Sequence, residues 1–180
     1  MFIAHLPAGY LLTRRIAAGS GNRRGLMAAG LAASVLPDLD LIWFYLVDNR
    51  QSVHHAYLFH WPLFWIALAG LTLGAARLAR IRGAGPYVGV ALAALLLHMV
   101  LDSIAAGIAW LAPFSDFEIN LIEVPARHGW WVWNFVLHWT FGLELAILAA
   151  AGAALWRDTR RPDPARATHP ARGAGPLGAP

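Results

Sequence analysis

Ionisable side chains stand inside stretches of this sequence that are otherwise apolar enough to cross a bilayer. Asp38 and Asp40 occur in the sequence Leu-Pro-Asp-Leu-Asp, and His98 and Asp102 occur in His-Met-Val-Leu-Asp. Carboxylates and imidazoles are costly in hydrocarbon unless they are paired or bind an ion. The sequence therefore predicts a polar site inside a membrane protein.

The composition agrees with a chain solvated by lipid. Of the 180 residues, 58% are hydrophobic and only 13% are charged, which is more apolar surface than a soluble domain of this length buries. Cysteine is absent, so disulfides and thiolate metal sites are excluded, and a metal would need His, Asp, Glu or Asn ligands. The net charge of +4 comes from arginines beside apolar segments, a pattern typical of membrane topology rather than of nucleic-acid binding.

Five apolar segments have the length and composition of membrane helices. The first is short for a full span, and arginines follow it rather than precede it, so we expect an uncleaved helix there. The prediction is an all-α, multi-pass transmembrane bundle of about four to five helices over residues 1–156. A disordered, Arg/Pro/Ala/Gly-rich cytoplasmic tail is expected over residues 157–180. The segments are predicted at residues 2–14, 25–47, 61–76, 86–111 and 130–156.

The arginines indicate the orientation of these segments. Twelve of the fourteen follow the first segment, the third or the fifth, whereas only Arg50 and Arg127 lie in the other two connections. Cytoplasmic loops of membrane proteins are enriched in arginine and lysine. Tryptophans gather near the opposite ends of the segments, as in an interfacial aromatic belt. We therefore expect a cytoplasmic C-terminus.

Candidate ligands from several segments lie at a similar depth. With a rise of about 1.5 Å per residue, Asp38, His60, His98 and Asp102 all fall in the outer half of the bilayer. His98 and Asp102, four residues apart, project from one helix face and could bind one ion or each other. Pro37 removes a backbone hydrogen bond, and the resulting kink would let the two carboxylates beside it turn toward a common point. We expect the site to open toward the outer side.

Histidines also cluster before the third segment. His54, His55 and His60 fall within seven residues beside the predicted membrane surface. Such a group suits a borderline divalent ion such as zinc, although neighbouring surface histidines are often unligated. His5 and His138 are weaker candidates for the same site.

The motifs, taken in order, resemble those of the YdjM family, LexA-associated inner-membrane proteins predicted to be metal-dependent hydrolases. The resemblance covers about residues 1–150, and a Pro-Phe-Ser sequence near residue 114 also matches. Around the paired histidines, however, the Arg, Thr and Ser usual in the family are missing, so the resemblance extends to the ligands and not to substrate contacts. Its elements are an early histidine (His5), Leu-Pro-Asp-x-Asp (36–40), two histidines five residues apart (His55 and His60) and His-x-x-Leu-Asp (98–102).

The resemblance implies a small multi-pass protein of the bacterial inner membrane with a His/Asp metal site. We expect a divalent ion, zinc by preference, and hydrolysis of a lipid or another membrane-associated ester or phosphoester by a metal-activated water. Asp40 and Asp102 are the expected catalytic carboxylates. Membrane lipids and a lipid or small-molecule substrate are the expected partners. The predicted metal ligands are Asp38, Asp40, His55, His60, His98 and Asp102, with His5, His54 and His138 as weaker candidates.

Two other classes of function use the same residue types. Buried Asp and His side chains also line ion pathways, so the chain could be a transporter or channel for metal ions or protons. A pathway needs polar groups at successive depths, and here the ionisable residues favour the outer half. The third possibility is a non-catalytic scaffold whose polar side chains join helices by hydrogen bonds, a role that also suits Glu144.

Overall fold

The computed structural model describes residues 3–160, without the side chain of His54. Within that range the fold is helical, and the β pairing is limited to one isolated bridge between Ile108 and Ile119. The helices are α1 (His5–Ile16), α2 (Arg23–Val35), α3 (Asp40–Leu46), α4 (Pro62–Leu78), α5 (Ala84–Asp102), α6 (Trp131–Val136) and α7 (Phe141–Arg160). Short 3-10 turns lie at Pro37–Leu39, His54–Ala56 and Leu58–His60.

Three of the five predicted segments end or break within their predicted bounds. The second breaks between α2 and α3 with a bend of 49°, which confirms the kink predicted at Pro37, a residue with no N–H to continue the helix. The fourth ends at Asp102 instead of residue 111, because the chain after it pairs with a later segment: the Leu121 N–H bonds to the Ser103 carbonyl at 2.8 Å, and Ile108 forms a bridge with Ile119. The fifth is split into α6 and α7.

Fewer candidate membrane spans are present than the sequence predicted. By length and composition, α5 can cross a membrane, and α2 with Pro37–Leu46 makes a second span if the bent pair counts as one. Helix α4 is apolar but shorter, and its Leu71 and Leu78 are 72% and 88% exposed. Lipid covers such surface at lower cost than water does. The all-α class is confirmed, whereas a bundle of four to five spanning helices stays a prediction.

Helix α5 lies at the centre and packs against α1, α2 and α4. The contact between α1 and α2 depends on glycines, because a Cβ atom at Gly30 would overlap the Thr13 side chain and one at Gly9 would overlap Ser34. Small residues let two helix backbones approach closely in this way. The close approach brings the first turn of α1, with His5, next to the end of α5.

A carboxylate joins three helices at the opposite end of α1. Asp158 of α7 accepts two hydrogen bonds from the Arg14 guanidinium, at 2.8 and 2.6 Å, and one from Arg23 at 2.9 Å. The Tyr10 hydroxyl donates a further one at 3.2 Å. Bidentate arginine pairs of this kind fix orientation as well as distance. Helix α7 also shows that residues 157–160, assigned to the tail, are helical, while the remainder of the predicted tail lies outside the described residues.

Candidate metal centre

Side chains from five separate elements meet at the C-terminal end of α5. They form two groups of three, and within each group the ligand atoms lie within 4.8 Å of one another. All the members are imidazoles or carboxylates, the ligands that a cysteine-free site offers to a divalent ion. One group is His5, Asp38 and His98, and the other is His55, His60 and Asp102.

Asp102 connects the two groups. Its Oδ1 lies 3.1 Å from Nε2 of His5, and its Oδ2 lies 3.0 Å from Nε2 of His98. The same Oδ2 is 3.7 Å from Nε2 of His60 and 3.8 Å from Nε2 of His55. The Asp102 side chain is only 1% exposed. Four imidazole nitrogens thus surround one buried carboxylate.

Asp38 faces the same imidazoles from the 3-10 turn that follows α2. Its Oδ1 is 3.6 Å from Nε2 of His98 and 4.0 Å from Nε2 of His60. With 33% of its side chain exposed, Asp38 is the most accessible member of either group. The cluster therefore has one carboxylate buried beneath the imidazoles and one at its open side.

The contacts of His98 place a proton on one of its two ring nitrogens. Its Nδ1 lies 2.8 Å from the backbone carbonyl oxygen of Ser34, which can only accept a hydrogen bond. Nδ1 must therefore carry the proton, and a neutral ring then presents the Nε2 lone pair to Asp38 and Asp102. The His5 ring stacks on the His98 ring with centroids 3.7 Å apart, an arrangement that two charged imidazolium rings would oppose.

His60 is oriented in the same manner by a carboxylate. Its Nδ1 lies 2.6 Å from Oδ2 of Asp40, and the His60 side chain is fully buried. Since a carboxylate accepts, Nδ1 donates and Nε2 faces the cluster, where a neutral ring would present its lone pair. A carboxylate behind a histidine in this way fixes the tautomer and raises the basicity of the ligand nitrogen. Asp40, predicted as a metal ligand and catalytic residue, is thus placed behind His60 and outside both groups.

The residues fit a divalent cation. In a tetrahedral zinc site with bonds of about 2.1 Å, neighbouring ligand atoms lie about 3.4 Å apart, close to the 3.0 to 4.0 Å separations around Asp102 and Asp38. Lone pairs of His98 and His60 that face carboxylate oxygens repel them unless a positive charge stands between them. One proton bridges a single nitrogen and a single oxygen, whereas a metal ion can be bound by all the nitrogens and oxygens of a group at once.

Two tryptophans hold the segment that carries His55 and His60. The Trp65 indole N–H donates to the carbonyl of Phe59 at 2.7 Å, and that of Trp61 donates to the carbonyl of Ala56 at 3.1 Å. Trp65 is 6% exposed and belongs to the main hydrophobic cluster, so the bond anchors the turn to the helical core. These tryptophans therefore position the ligand segment, a role beyond the interfacial belt inferred from the sequence.

The two remaining weaker candidates have different surroundings. His138 lies outside both groups, and its Nδ1 is 2.9 Å from the Thr140 hydroxyl. The His54 side chain lies outside the described part of the chain. Neither residue is needed to complete a group of three.

Sequence reasoning did not foresee how His5 is placed. The Glu144 carboxylate, which is 4% exposed, accepts the backbone N–H groups of Ile3 and Ala4, immediately before α1. Acidic groups are favourable at helix N-termini, where N–H groups lack helical partners. Glu144 is indeed an interhelical contact as predicted, and through that contact it holds the turn that carries His5. A buried acid was visible in the sequence, but its partners, being backbone groups, were not.

Comparison with known proteins identifies a family. The family model described as YdjM inner membrane protein matches residues 1–164. No curated protein and no solved structure gives a match. The match covers every residue of both groups of candidate ligands and confirms the resemblance carried by the ordered motifs.

Proposed function

The chain belongs to the YdjM family of inner membrane proteins, and we propose that it is a metal-dependent hydrolase of membrane-associated esters or phosphoesters. The observation that carries the proposal is the convergence of four imidazole nitrogens on Asp102, with Nδ1 of His98 and of His60 each occupied by a separate acceptor so that Nε2 faces the carboxylates. Neutral imidazoles and ionised carboxylates are the protonation states that metal binding requires.

The two groups of ligands would hold the ion or ions. Asp102 and Asp38 each lie near histidines of both groups, so they could be shared between two neighbouring ions. A bound divalent cation lowers the pKa of water and polarises the ester or phosphoryl oxygen under attack. Zinc is the first choice because imidazole and carboxylate ligands suit it.

The exposure of the carboxylates separates their roles. Asp38, one-third exposed, is the carboxylate able to take a proton from an attacking water at the open side of the cluster. Asp102 is buried and orients the imidazoles, while Asp40 holds His60. We therefore assign the general base to Asp38, with Asp102 as a ligand and Asp40 as a positioning residue.

The distribution of buried charge favours a site over an ion pathway. Among the described residues, the buried ionisable side chains are His5, Asp40, His60, His98 and Asp102, together with Glu144. The first five belong to the cluster or contact it, and Glu144 holds the adjoining turn. A pathway requires such groups at successive depths. This concentration at one end of α5 supports localised chemistry.

Metal analysis combined with a hydrolysis assay tests the proposal. Protein purified in detergent is assayed for bound metal and melting temperature, and for cleavage of fluorescent phospholipid and carboxylic-ester substrates. We expect metal to copurify, chelation to lower the melting temperature and abolish cleavage, and zinc or manganese to restore both. His98→Gln should lose both properties. Metal-free protein that shows no thermal shift with either ion would contradict the metal centre, whereas bound metal without cleavage of any substrate would contradict the hydrolase.

A further inference from the structure

A cavity of about 730 Å³ lies beside the candidate metal centre. It contacts the cluster through His55, whose Nε2 is 3.8 Å from Asp102 Oδ2. Ala105 and Ala106, whose N–H groups bond to the Asp102 carbonyl, also line it. The cavity is within the size range of small-molecule sites, and it reaches the place where hydrolysis is proposed.

The wall of the cavity is largely aromatic and aliphatic. Helix α3 contributes Phe44 and Tyr45, and the short helix α6 contributes Trp131 and Phe135. Tyr45 and Trp131 are each about half exposed, at 48% and 47%, so the cavity opens between α3 and α6. An apolar chain could enter by this opening directly from the surrounding lipid.

Among the lining residues, Arg50 carries the permanent positive charge. Arg50 belongs to the lining, and the chain reaches it through two successive residues with left-handed backbone angles, Asn49 at φ 47° and Arg50 at φ 63°. A non-glycine residue with positive φ is strained, and here the Arg50 N–H bonds back to the Phe44 carbonyl at 3.0 Å. The turn directs the chain back over α3 and places Arg50 at the cavity.

We infer that this cavity binds the acyl chain of a membrane phospholipid, with the lipid phosphate held between Arg50 and the metal centre. Guanidinium groups bind phosphate oxygens with strong, directional hydrogen bonds. The aromatic wall would contact the acyl chain, and Arg50 would bind the anionic head group. His55, which borders both the cavity and the cluster, would bring the ester close to the metal centre. This inference rests on the proposed function and narrows its substrate to a phospholipid.

The absence of cysteine from the sequence allows a direct binding test. Ala106→Cys places a single thiol in the cavity, and Ala69→Cys places a matched thiol in a separate apolar groove between α2, α4 and α5. Alkylation by a maleimide is followed in detergent, with and without chelator, while diheptanoylphosphatidylglycerol or phosphate-free diheptanoylglycerol is titrated in. Melting temperatures establish that each variant is folded.

The phospholipid should protect Ala106→Cys at a concentration about tenfold lower than the phosphate-free lipid requires, because only the phospholipid carries a phosphate for Arg50 and the metal centre to bind. Ala69→Cys should show no such preference. Adding Arg50→Gln to Ala106→Cys should reduce the preference, whereas Arg127→Gln, in another connection between helices, should preserve it.

Equal protection by the two lipids, equal protection of the two thiols, or an unchanged preference in Arg50→Gln would overturn the inference. Metal content is measured on the same samples. Failure of protection with metal still bound would count against the cavity alone, and loss of metal with protection retained would count against the proposed metal centre alone.

Discussion

The backbone carbonyl of Ser34 lies 2.8 Å from Nδ1 of His98. Helix α2 ends one residue after Ser34, and Pro37 provides no N–H with which the helix could continue. A carbonyl in the last turn of a helix lacks a helical partner and accepts from another donor. The break in the second apolar segment therefore has two consequences: it turns Asp38 toward the cluster, and it fixes the tautomer of His98.

Replacing the central ligands should release the metal while the fold survives. In Asp102→Asn the size and hydrogen-bonding capacity remain but the negative charge is lost, and in His98→Gln the ligand nitrogen is lost. We expect metal affinity to fall by about 10-fold to 100-fold or more in each. If these residues only join helices, the loss would instead be about 0.6 kcal/mol of stability with metal content unchanged. Bound metal is measured in detergent-purified protein.

A control for that comparison is Glu123→Gln, which removes an exposed carboxylate from the connection between α5 and α6. Its metal content should equal that of the unmodified protein. Wild-type metal content in both Asp102→Asn and His98→Gln would refute the assignment of the site.

Asp40 should act through His60 and not as an independent ligand. The 2.6 Å contact between Asp40 Oδ2 and His60 Nδ1 predicts that Asp40→Asn lowers metal affinity by about 10-fold, at the lower end of the effect of residues that orient a ligand. The decisive sample is the double variant with His60→Gln. Because Asp40 acts only by orienting His60, the double variant should bind the metal no more weakly than His60→Gln alone.

Isothermal titration of the metal-free proteins measures these affinities. Additive losses in the double variant would mean that Asp40 binds the ion itself, as the sequence alone had suggested.

The candidate ligands were predictable because each stands out chemically from an apolar background. Asp38, His98 and Asp102 violate the composition of their own segments, and helical spacing puts His98 and Asp102 on one face. The roles of Asp40 and His5 were not predictable in the same way. They depend on the angle at Pro37 and on the contact between Glu144 and the backbone before α1, which are tertiary relationships without a local pattern.

For the helices too, the local sequence pattern predicts their positions, whereas tertiary contacts determine where they end. Periodicity and apolarity located the helical regions, but α5 ends at Asp102 although apolar residues continue to residue 111. The end is set by hydrogen bonds of the following turn, including that from the Leu121 N–H to the Ser103 carbonyl at 2.8 Å. Such long-range bonds override the local preference of an alanine-rich and isoleucine-rich stretch.

The arginine distribution predicts that the C-terminus lies in the cytoplasm. Asp158, Arg14 and Arg23 join the ends of α7, α1 and α2, so these ends should share one side of the membrane. Paired fusions at Pro180 test this, one to alkaline phosphatase, which is active outside the cytoplasm, and one to a fluorescent protein that matures inside it. We expect fluorescence without phosphatase activity. Phosphatase activity without fluorescence would show that the orientation is the reverse of the predicted one, with the candidate metal centre on the cytoplasmic side.

The close contact between α1 and α2 should tolerate no added methyl group at Gly30. A Cβ atom there would overlap Oγ1 of Thr13, which is fully buried, so Gly30→Ala should cost about 1 to 3 kcal/mol by overpacking. Gly70→Ala is the matched control, since the space beside Gly70 is open and alanine favours a helix. Thermal unfolding in detergent should show a lower melting temperature for Gly30→Ala only.

A second substitution that restores the stability of Gly30→Ala tests whether the overlap with Thr13 causes the loss. Thr13→Gly removes the three atoms nearest to the new methyl group, so the double variant with Gly30→Ala should be more stable than Gly30→Ala alone once the cost of Thr13→Gly itself is subtracted. Metal binding provides a second measurement, because α1 carries His5 to Asp102 at 3.1 Å. Separation of α1 from α2 should weaken metal affinity in Gly30→Ala and restore it in the double variant. Strictly additive stabilities would show that the two side chains do not meet, and unchanged affinity in Gly30→Ala would show that α1 does not control the position of His5.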